Sequence, residues 1–312
     1  MTNENNGPRK GQAPHAVVMV LPHHFYPNEE TAADNAFQEE GGNRERTEKR
    51  AYDEVQAAVD ALRGAGVTVH LFEDEGTDTP DSVFPNNWFS THPDGRVVLY
   101  PMYAPSRRAE RRDDIVDFLR EAYDVAGVID YSSFEYAEKF LEGTGAMVLD
   151  HANMTAYVSL SHRADETLVT RFCSDFGYDP VMFETKGPDG NAIYHTNVMM
   201  NVGTKLALVG LSTIVGKDKR QEIEDRLVAT GRTLIDLSAD QIAHFAGNAL
   251  EVRTDKGLVL VLSDTAHASL TADQIALIEA EMPLLPLHVP TIEKAGGSAR
   301  CMLAGIHLKP KA

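Results

Sequence analysis

Apolar residues recur at spacings of three and four in five stretches of the chain, and each such stretch predicts an amphipathic helix. From Glu45 to Arg63 the apolar face is Tyr52, Val55, Val59 and Leu62, with a glycine just after it. Ser106 to Tyr123 carries Ile115, Phe118 and Leu119, and Asp165 to Phe176 carries Leu168 and Phe172 before a closing Gly177. Asp218 to Ala229 presents Ile223 and Leu227; Thr271 to Glu281 presents Ile275 and Ile278, opened by a Thr271–Gln274 capping box. Short β-rich runs lie between them, at Val67–Glu73, Arg96–Met102, Ala146–Leu149, Tyr157–Leu160, Lys205–Gly210 and Leu258–Ser263. Asp150-His151-Ala152-Asn153 reads as a hairpin turn joining two of these runs. The helices begin at intervals of roughly 53–61 residues, a repeat-like period. Five units of one helix with several short strands predict a radial α/β fold closing on itself. The competing arrangement is a doubly wound sheet with alternating strands and helices. No Gly-rich phosphate loop follows a first strand, which weighs against a nucleotide-binding version of it.

The 312 residues, 43% of them hydrophobic, suit a folded globular protein. Residues 1–14 are polar, without the apolar core of a signal peptide, and read as a disordered leader before a single domain over 15–312. A formal net charge of −18 argues against nucleic-acid partners and is unhelpful for anionic lipid, but it is compatible with a small zwitterionic or cationic ligand. The longest apolar runs, such as Leu206 to Val215, are too short to span a bilayer. Two cysteines, Cys173 and Cys301, make neither a disulfide framework nor a metal spacing, and a reducing cytoplasm is the default setting; the cysteine chemistry described below calls for no metal or organic cofactor. A homo-oligomer is left open.

Candidate chemistry gathers at a few points. Gly296-Gly297-Ser298-Ala299-Arg300-Cys301-Met302 sets a thiol just past a glycine pair, where backbone can approach a ligand. Leu141-Glu142-Gly143-Thr144-Gly145 puts a carboxylate at a glycine-rich bend, and Tyr194-His195-Thr196-Asn197 a histidine with an amide two residues on. Ala104-Pro105-Ser106-Arg107-Arg108 places two cations at a helix start, where the dipole disfavours them. Leu160-Ser161-His162-Arg163 adds another arginine at a strand end. Each has a plain structural explanation by itself: a core cysteine, a satisfied histidine, a turn-capping glutamate, arginines paired with surface acids.

Together and in this order, these segments resemble the arginine deiminase or guanidino-group-modifying superfamily, five-bladed pseudo-symmetric α/β propellers with the pentein fold. The shared pattern is Glu142-Gly143, then His195, then Gly297-x-x-x-Cys301, with Thr144 standing where the family often has a second glycine. Ala104-Pro105-Ser106-Arg107-Arg108 is similar to the dimethylargininase segment that holds the substrate α-carboxylate, and Ser161-His162-Arg163 to the second arginine of that clamp. The resemblance covers roughly residues 16–308. It is closest to the citrulline-hydrolysing branch, the citrulline utilization hydrolases, through Asn28-Glu29-Glu30-Thr31-Ala32, Phe84-Pro85-Asn86-Asn87-Trp88-Phe89-Ser90-Thr91-His92 and Phe245-Ala246-Gly247-Asn248.

Two departures bear on the substrate. Deiminases of the superfamily generally hold guanidinium between acids in Phe-x-x-Asp and His-x-Asp patterns; here these read Phe89-x-x-His92 and His195-x-Asn197. Burying a guanidinium without an anionic partner costs on the order of several kcal/mol, whereas an amide and an imidazole can satisfy a neutral ureido group. The expected substrate is therefore citrulline, hydrolysed to ornithine, carbon dioxide and ammonia. The resemblance implies Cys301 as nucleophile, His195 as acid and then base, and Glu142 orienting it. It implies Arg107 (or its neighbour Arg108) and Arg163 on the α-carboxylate. Asn86, Phe89, His92 and Asn197 complete the expected substrate contacts, and Asn197, His92 and backbone N–H groups near Cys301 are the candidate oxyanion donors. The alternatives are a guanidino hydrolase or amidinotransferase on the same fold, a hydrolase of a citrulline relative, and a non-catalytic propeller that serves as a binding module.

Overall fold

The computed structural model of the protein describes residues 11–187 and 190–311. Five three-stranded sheets share one plan. In four of them an antiparallel hairpin is followed by a helix, which returns the chain to a third strand parallel to the second. In the first blade β1 (Ala16–Pro22) leads through α1 (Arg44–Gly64) to β2 (Thr68–Asp74). The second blade is β3 (Phe89–Thr91), β4 (Arg96–Leu99), α2 (Asp113–Ala122) and β5 (Gly127–Asp130). The third is β6 (Met147–Asp150), β7 (Thr155–Ser159), α3 (Glu166–Phe176) and β8 (Asp179–Phe183). The fourth is β9 (Met200–Val202), β10 (Leu206–Val209), α4 (Lys217–Ala229) and β11 (Thr233–Asp236). The fifth is β12 (Leu250–Thr254), β13 (Gly257–Ser263), α5 (Ala272–Glu279) and β14 (Leu284–Leu287). The last strand, β15 (Ala304–Ile306), pairs antiparallel with β1 at Val17↔Gly305, completing the first blade and closing the ring.

Local chemistry accounts for the elements. Asn43 caps α1 by accepting from the Arg46 amide, and Ala51, Val55, Ala58, Val59 and Leu62 are its buried face. Asp165 caps α3 through the Thr167 and Leu168 amides; Gly177 ends it in the left-handed region at φ 76°. The Thr271–Gln274 capping box forms at α5. The helix expected over 106–123 is instead two pieces, Pro105–Arg108 and α2, because the intervening turn folds Arg107 and Glu110 inward as a buried pair. β1, an unbroken apolar run, is buried on both faces, as strands covered on both sides are. Val17, Met19 and Leu21 pack with α1, while Val18 and Val20 pack with Trp88, Phe89 and Ile115.

Residues 11–14, counted with the leader from sequence, pack against the ring: the Gln12 amide donates to the carbonyls of Leu149 and Val202 at 3.1 and 2.7 Å. Residues 1–10 lie outside the described residues. Among the described residues no helix is long and apolar enough to cross a membrane.

The plan fixes where side chains can meet. Each blade's first-paired, inner strand is entered from a short turn, and these turns come together around one axis: Pro85–Asn87 before β3, Gly143–Ala146 before β6, Thr196–Met199 before β9, and Ala299–Met302 before β15. Before β12 the equivalent turn ends at Asn248, whose N–H donates to the Phe245 carbonyl at 2.8 Å.

Candidate active site

The ring of turns delivers Asn87, Glu142, His195, Asn197, Asn248 and Cys301 from five different blades to one buried place. Cys301 is its centre. Its sulfur lies 3.3 Å from Asn248 Nδ2 and 3.4 Å from Asn197 Nδ2, so two amide N–H groups point at it. Asn248 is itself fixed, donating to the Asn197 carbonyl (3.0 Å) and accepting from the Arg300 amide (3.0 Å). No carboxylate among the described residues lies within hydrogen-bond distance of this sulfur.

His195 Nε2 is 2.8 Å from Glu142 Oε2, and both residues are fully buried. Burial opposes ionisation of Glu142, but Arg163, the His195 hydrogen bond and Arg107 outweigh it and hold the carboxyl well below its usual range. An ionised Glu142 accepts, so Nε2 carries the imidazole proton and Nδ1 carries the lone pair. Nδ1 is buried and unpartnered. Burial above all, with help from the two arginines, pushes His195 down to about 4 against the pull of Glu142, which leaves it neutral near pH 7. Gly145 is required here, since a Cβ on it would sit 2.4 Å from Asn87 Oδ1 and 2.7 Å from His195 Nδ1. Gly296 is required as well: it lies at φ 78°, and its carbonyl accepts from the Tyr194 hydroxyl.

The cavity that Cys301 and His195 line is also lined by Asn87, Asp81, Arg107 and Arg163. Arg107 gives Nε and Nη2 to the two oxygens of Glu110, each at 2.9 Å, and Arg163 gives Nε and Nη2 to Asp34 at 3.1 and 2.6 Å. Each therefore keeps Nη1, which stands 3.6 Å (Arg107) and 3.7 Å (Arg163) from Glu142 Oε2. Arg163 also lies over the Tyr194 ring at 4.8 Å. Asp81 is buried 3.7 Å from Arg107 Nε; burial raises its pKa against the pull of that arginine, and its Oδ1 has no partner. Burial likewise pushes Glu110 up to about 8 despite its pairing.

The structure thus brings together Cys301, His195, Glu142, Asn197, Arg107 and Arg163. Arg108 turns away, with Nε on the Met102 carbonyl and Nη2 on that of Tyr103. Three expected contacts are corrected. Asn86 is buried outside the cavity, with Nδ2 on Thr144 Oγ1 at 3.4 Å, and its neighbour Asn87 lines the cavity instead. Phe89, the first residue of β3, packs on Trp88 with ring centroids 4.4 Å apart and lines a separate space between the inner strands. His92 follows β3, so the strand carries it away from Asn87. Its Nε2 pairs with Ser90 Oγ at 2.8 Å among Phe172, Phe176 and Tyr178, and burial keeps its pKa well below the ordinary imidazole value. His92 is therefore neither an oxyanion donor nor a ureido contact. Cys173 is buried in the core, its thiol pushed up to about 12 by burial.

Sequence reasoning missed Asn87, Asn248 and Asp81. The first two could have been found from the repeat, since both stand on the turn that enters an inner strand, as Glu142, His195 and Cys301 do in the other blades. Asp81 carries no such signal.

The family described as "N,N dimethylarginine dimethylhydrolase, eukaryotic" matches residues 21–308. No curated protein matches the chain. Among solved structures the fold is similar to that of apo ArgZ, an arginine dihydrolase from the ornithine-ammonia cycle in cyanobacteria, with a TM-score of 0.72 and 18% identity over 95% of this chain. The chain spans 41% of that ArgZ chain. Against the N-terminal domain of ArgZ bound to substrate the TM-score is 0.71 at 17% identity, covering 94% of this chain and 99% of the other. Against a dimethylarginine dimethylaminohydrolase adduct with 4-chloro-2-hydroxymethylpyridine it is 0.64 at 11% identity, covering 94% and 99%. At these identities the structural likeness is one of fold.

Proposed function

Because the chain belongs to the N,N dimethylarginine dimethylhydrolase family, within the pentein superfamily, we propose that it is a cysteine hydrolase that cleaves a C–N bond at the terminal carbon of an arginine-type amino acid. The observation that carries this reading is Cys301 sharing one cavity with His195 and two arginines, with His195 Nδ1 left without a partner. Cys301 gives its proton to His195 Nδ1 and attacks the substrate carbon; Asn197 and Asn248 stand at the sulfur with N–H donors for the oxyanion that develops beside it. His195 passes a proton to the leaving nitrogen as the C–N bond breaks, and then takes one from the water that cleaves the thioester. Glu142 holds the ring and stabilises its cationic form. Arg107 and Arg163 bind the α-carboxylate, each through its remaining Nη1.

For the substrate's reacting group, the geometry supports a neutral ureido carbon. The side chains at the sulfur are amides, and an amide satisfies a ureido oxygen and nitrogen without needing a charge. With citrulline, attack releases ornithine and leaves a carbamoyl-thioester, which hydrolyses to carbon dioxide and ammonia. The second reading, a guanidino substrate such as arginine or a methylated arginine, is favoured by the activities named for the family and for ArgZ. It is also favoured by the acid on the cavity wall: Asp81, with one oxygen free, is a counter-charge for a cationic substrate group. Loss of His92 from the site removes one of the two sequence arguments against this reading. Ammonia and amino-acid products measured in parallel on citrulline, arginine and dimethylarginine decide between them. The ureido reading expects ornithine with one ammonia per citrulline and a higher kcat/KM for citrulline than for arginine; the reverse order establishes the guanidino reading. No turnover of any of the three contradicts the hydrolase.

A further inference from the structure

A second cavity lies directly beyond the catalytic one. Its walls include β3, β6, β9 and β15, so it runs along the axis of the ring, on the strand side of the turns that carry Cys301 and His195. Arg300, the residue before the nucleophile, reaches into it.

Arg300 stands apart from the other inward-facing cations. Arg107 is paired with Glu110, Arg163 with Asp34, and Arg232 with Asp150 at 2.6 Å. Among the described residues no carboxylate lies within 4.0 Å of Arg300, and its guanidinium makes one hydrogen bond, from Nη1 to the main-chain carbonyl of Leu303 at 2.9 Å. Burial alone pushes its pKa down to about 10, with the neighbouring Cys301 acting the other way. In a chain of net charge −18, a guanidinium left without an acid inside a cavity is conspicuous.

The surroundings suit an anion. His151 and His307 line the same cavity with ring centroids 4.2 Å apart. Tyr178 OH lies 2.7 Å from His151 Nδ1, so donation from that hydroxyl leaves Nε2–H free to donate. Asn201 contributes no donor: its Nδ2 is taken by the Ala249 carbonyl at 2.7 Å, which leaves its Oδ1, an acceptor, without a partner. The one acid on the wall, Glu251, is turned to Thr204, accepting from its N–H at 2.9 Å and from its hydroxyl, and burial raises its pKa. The space therefore holds a forked cation beside the His151 and His307 rings, with its only carboxylate already engaged. Guanidinium forks match flat, two-oxygen groups best.

We propose that this axial cavity is a binding site for a small planar oxyanion of carboxylate or carbonate type, held by the Arg300 fork and flanked by His151 and His307. Its test reads binding, so it stands apart from the hydrolase reading. Thermal unfolding of the full chain is followed as sodium formate replaces sodium chloride at constant ionic strength, in the wild type, Arg300→Gln and Arg163→Gln. The expected result is a Tm that rises with formate in the wild type and in Arg163→Gln, because a ligand held by the folded state alone stabilises it, and that does not rise in Arg300→Gln. An equal rise in Arg300→Gln, a rise lost only in Arg163→Gln, or no rise in the wild type overturns the proposal; the second of these places the anion on the catalytic arginines. If Arg300→Gln does not fold, Arg300→Lys serves in its place. Keeping the charge without the fork, it should need about tenfold more formate for the same rise, the loss expected for one charge-assisted hydrogen bond. A formate dependence like that of the wild type contradicts the site.

Discussion

At the scale of the residue, the site works because neighbouring side chains set each other's charge. Glu142 stays ionised inside the protein because two arginines and His195 surround it, and His195 stays neutral because it is buried beside those same arginines. The folded-state pKa of His195 lies below its ordinary value of 6.5, so the lone pair on Nδ1 is present at neutral pH and is lost only as pH falls through about 4. The acid limb of kcat/KM should accordingly fall near pH 4; a limb at the ordinary histidine value contradicts the assignment of His195 as base. Arg163→Ala removes one carboxylate contact and leaves Asp34 without its cation. Truncating one partner of a buried, hydrogen-bonded charge pair costs about 2–5 kcal/mol of binding, so KM should rise at least about thirtyfold with a much smaller change in kcat. An unchanged KM removes Arg163 from the clamp. That Cys301, His195, Glu142, Arg107 and Arg163 would be neighbours was legible in the sequence, because their residue types and order are specific; their roles are the proposal. Asn86, Phe89 and His92 were misplaced because a motif of nine consecutive residues does not say where its strand begins. With β3 starting at Phe89, residue 87 falls on the turn at the axis and residue 92 beyond the strand's far end.

At the scale of the element, five short turns do what the helices and strands only support. Each helix found from apolar spacing exists, and four of the five match the expected span within a few residues, because long amphipathic faces leave a strong periodic signal. The inner strands β3, β9 and β15 have three residues each, too few for any alternation to show. The turn before β6 illustrates the constraint at the axis. Gly145→Ala places a methyl between Asn87 and His195 while leaving the strands untouched. The expected outcome is a loss of about a hundredfold in kcat, the size produced by small misplacements of reacting groups, with the denaturant midpoint little changed. Full activity in that variant means that the Nδ1 face of His195 is not where substrate meets it.

At the scale of the whole molecule, the ring is closed by its own ends. β15 joins β1 three residues after Cys301, so the seam that completes the fold also seats the proposed nucleophile. The repeat period predicted the closed ring over the doubly wound sheet, and five sheets of one plan are observed. The interior carries a cost in acid. His92, fully buried, and His151 and His307, part-buried on the axial cavity, are neutral, with folded-state pKa values well below 6.5 and that of His151 pushed down to about 3 by desolvation. The unfolded chain therefore takes up protons first as pH falls. The stability linked to these groups is complete above about pH 6.5 and drains away toward about pH 3. Tm should decline over that window, and a Tm flat down to pH 4 contradicts the neutral cluster. All of this structure converges on one sulfur. The most direct measurement is ammonia release from citrulline and arginine by the wild type, Cys301→Ala and Cys173→Ala, with far-UV circular dichroism confirming the fold of each. Cys301→Ala should be folded and without turnover, and Cys173→Ala close to wild type; ammonia release by folded Cys301→Ala at the wild-type rate contradicts the mechanism at its root.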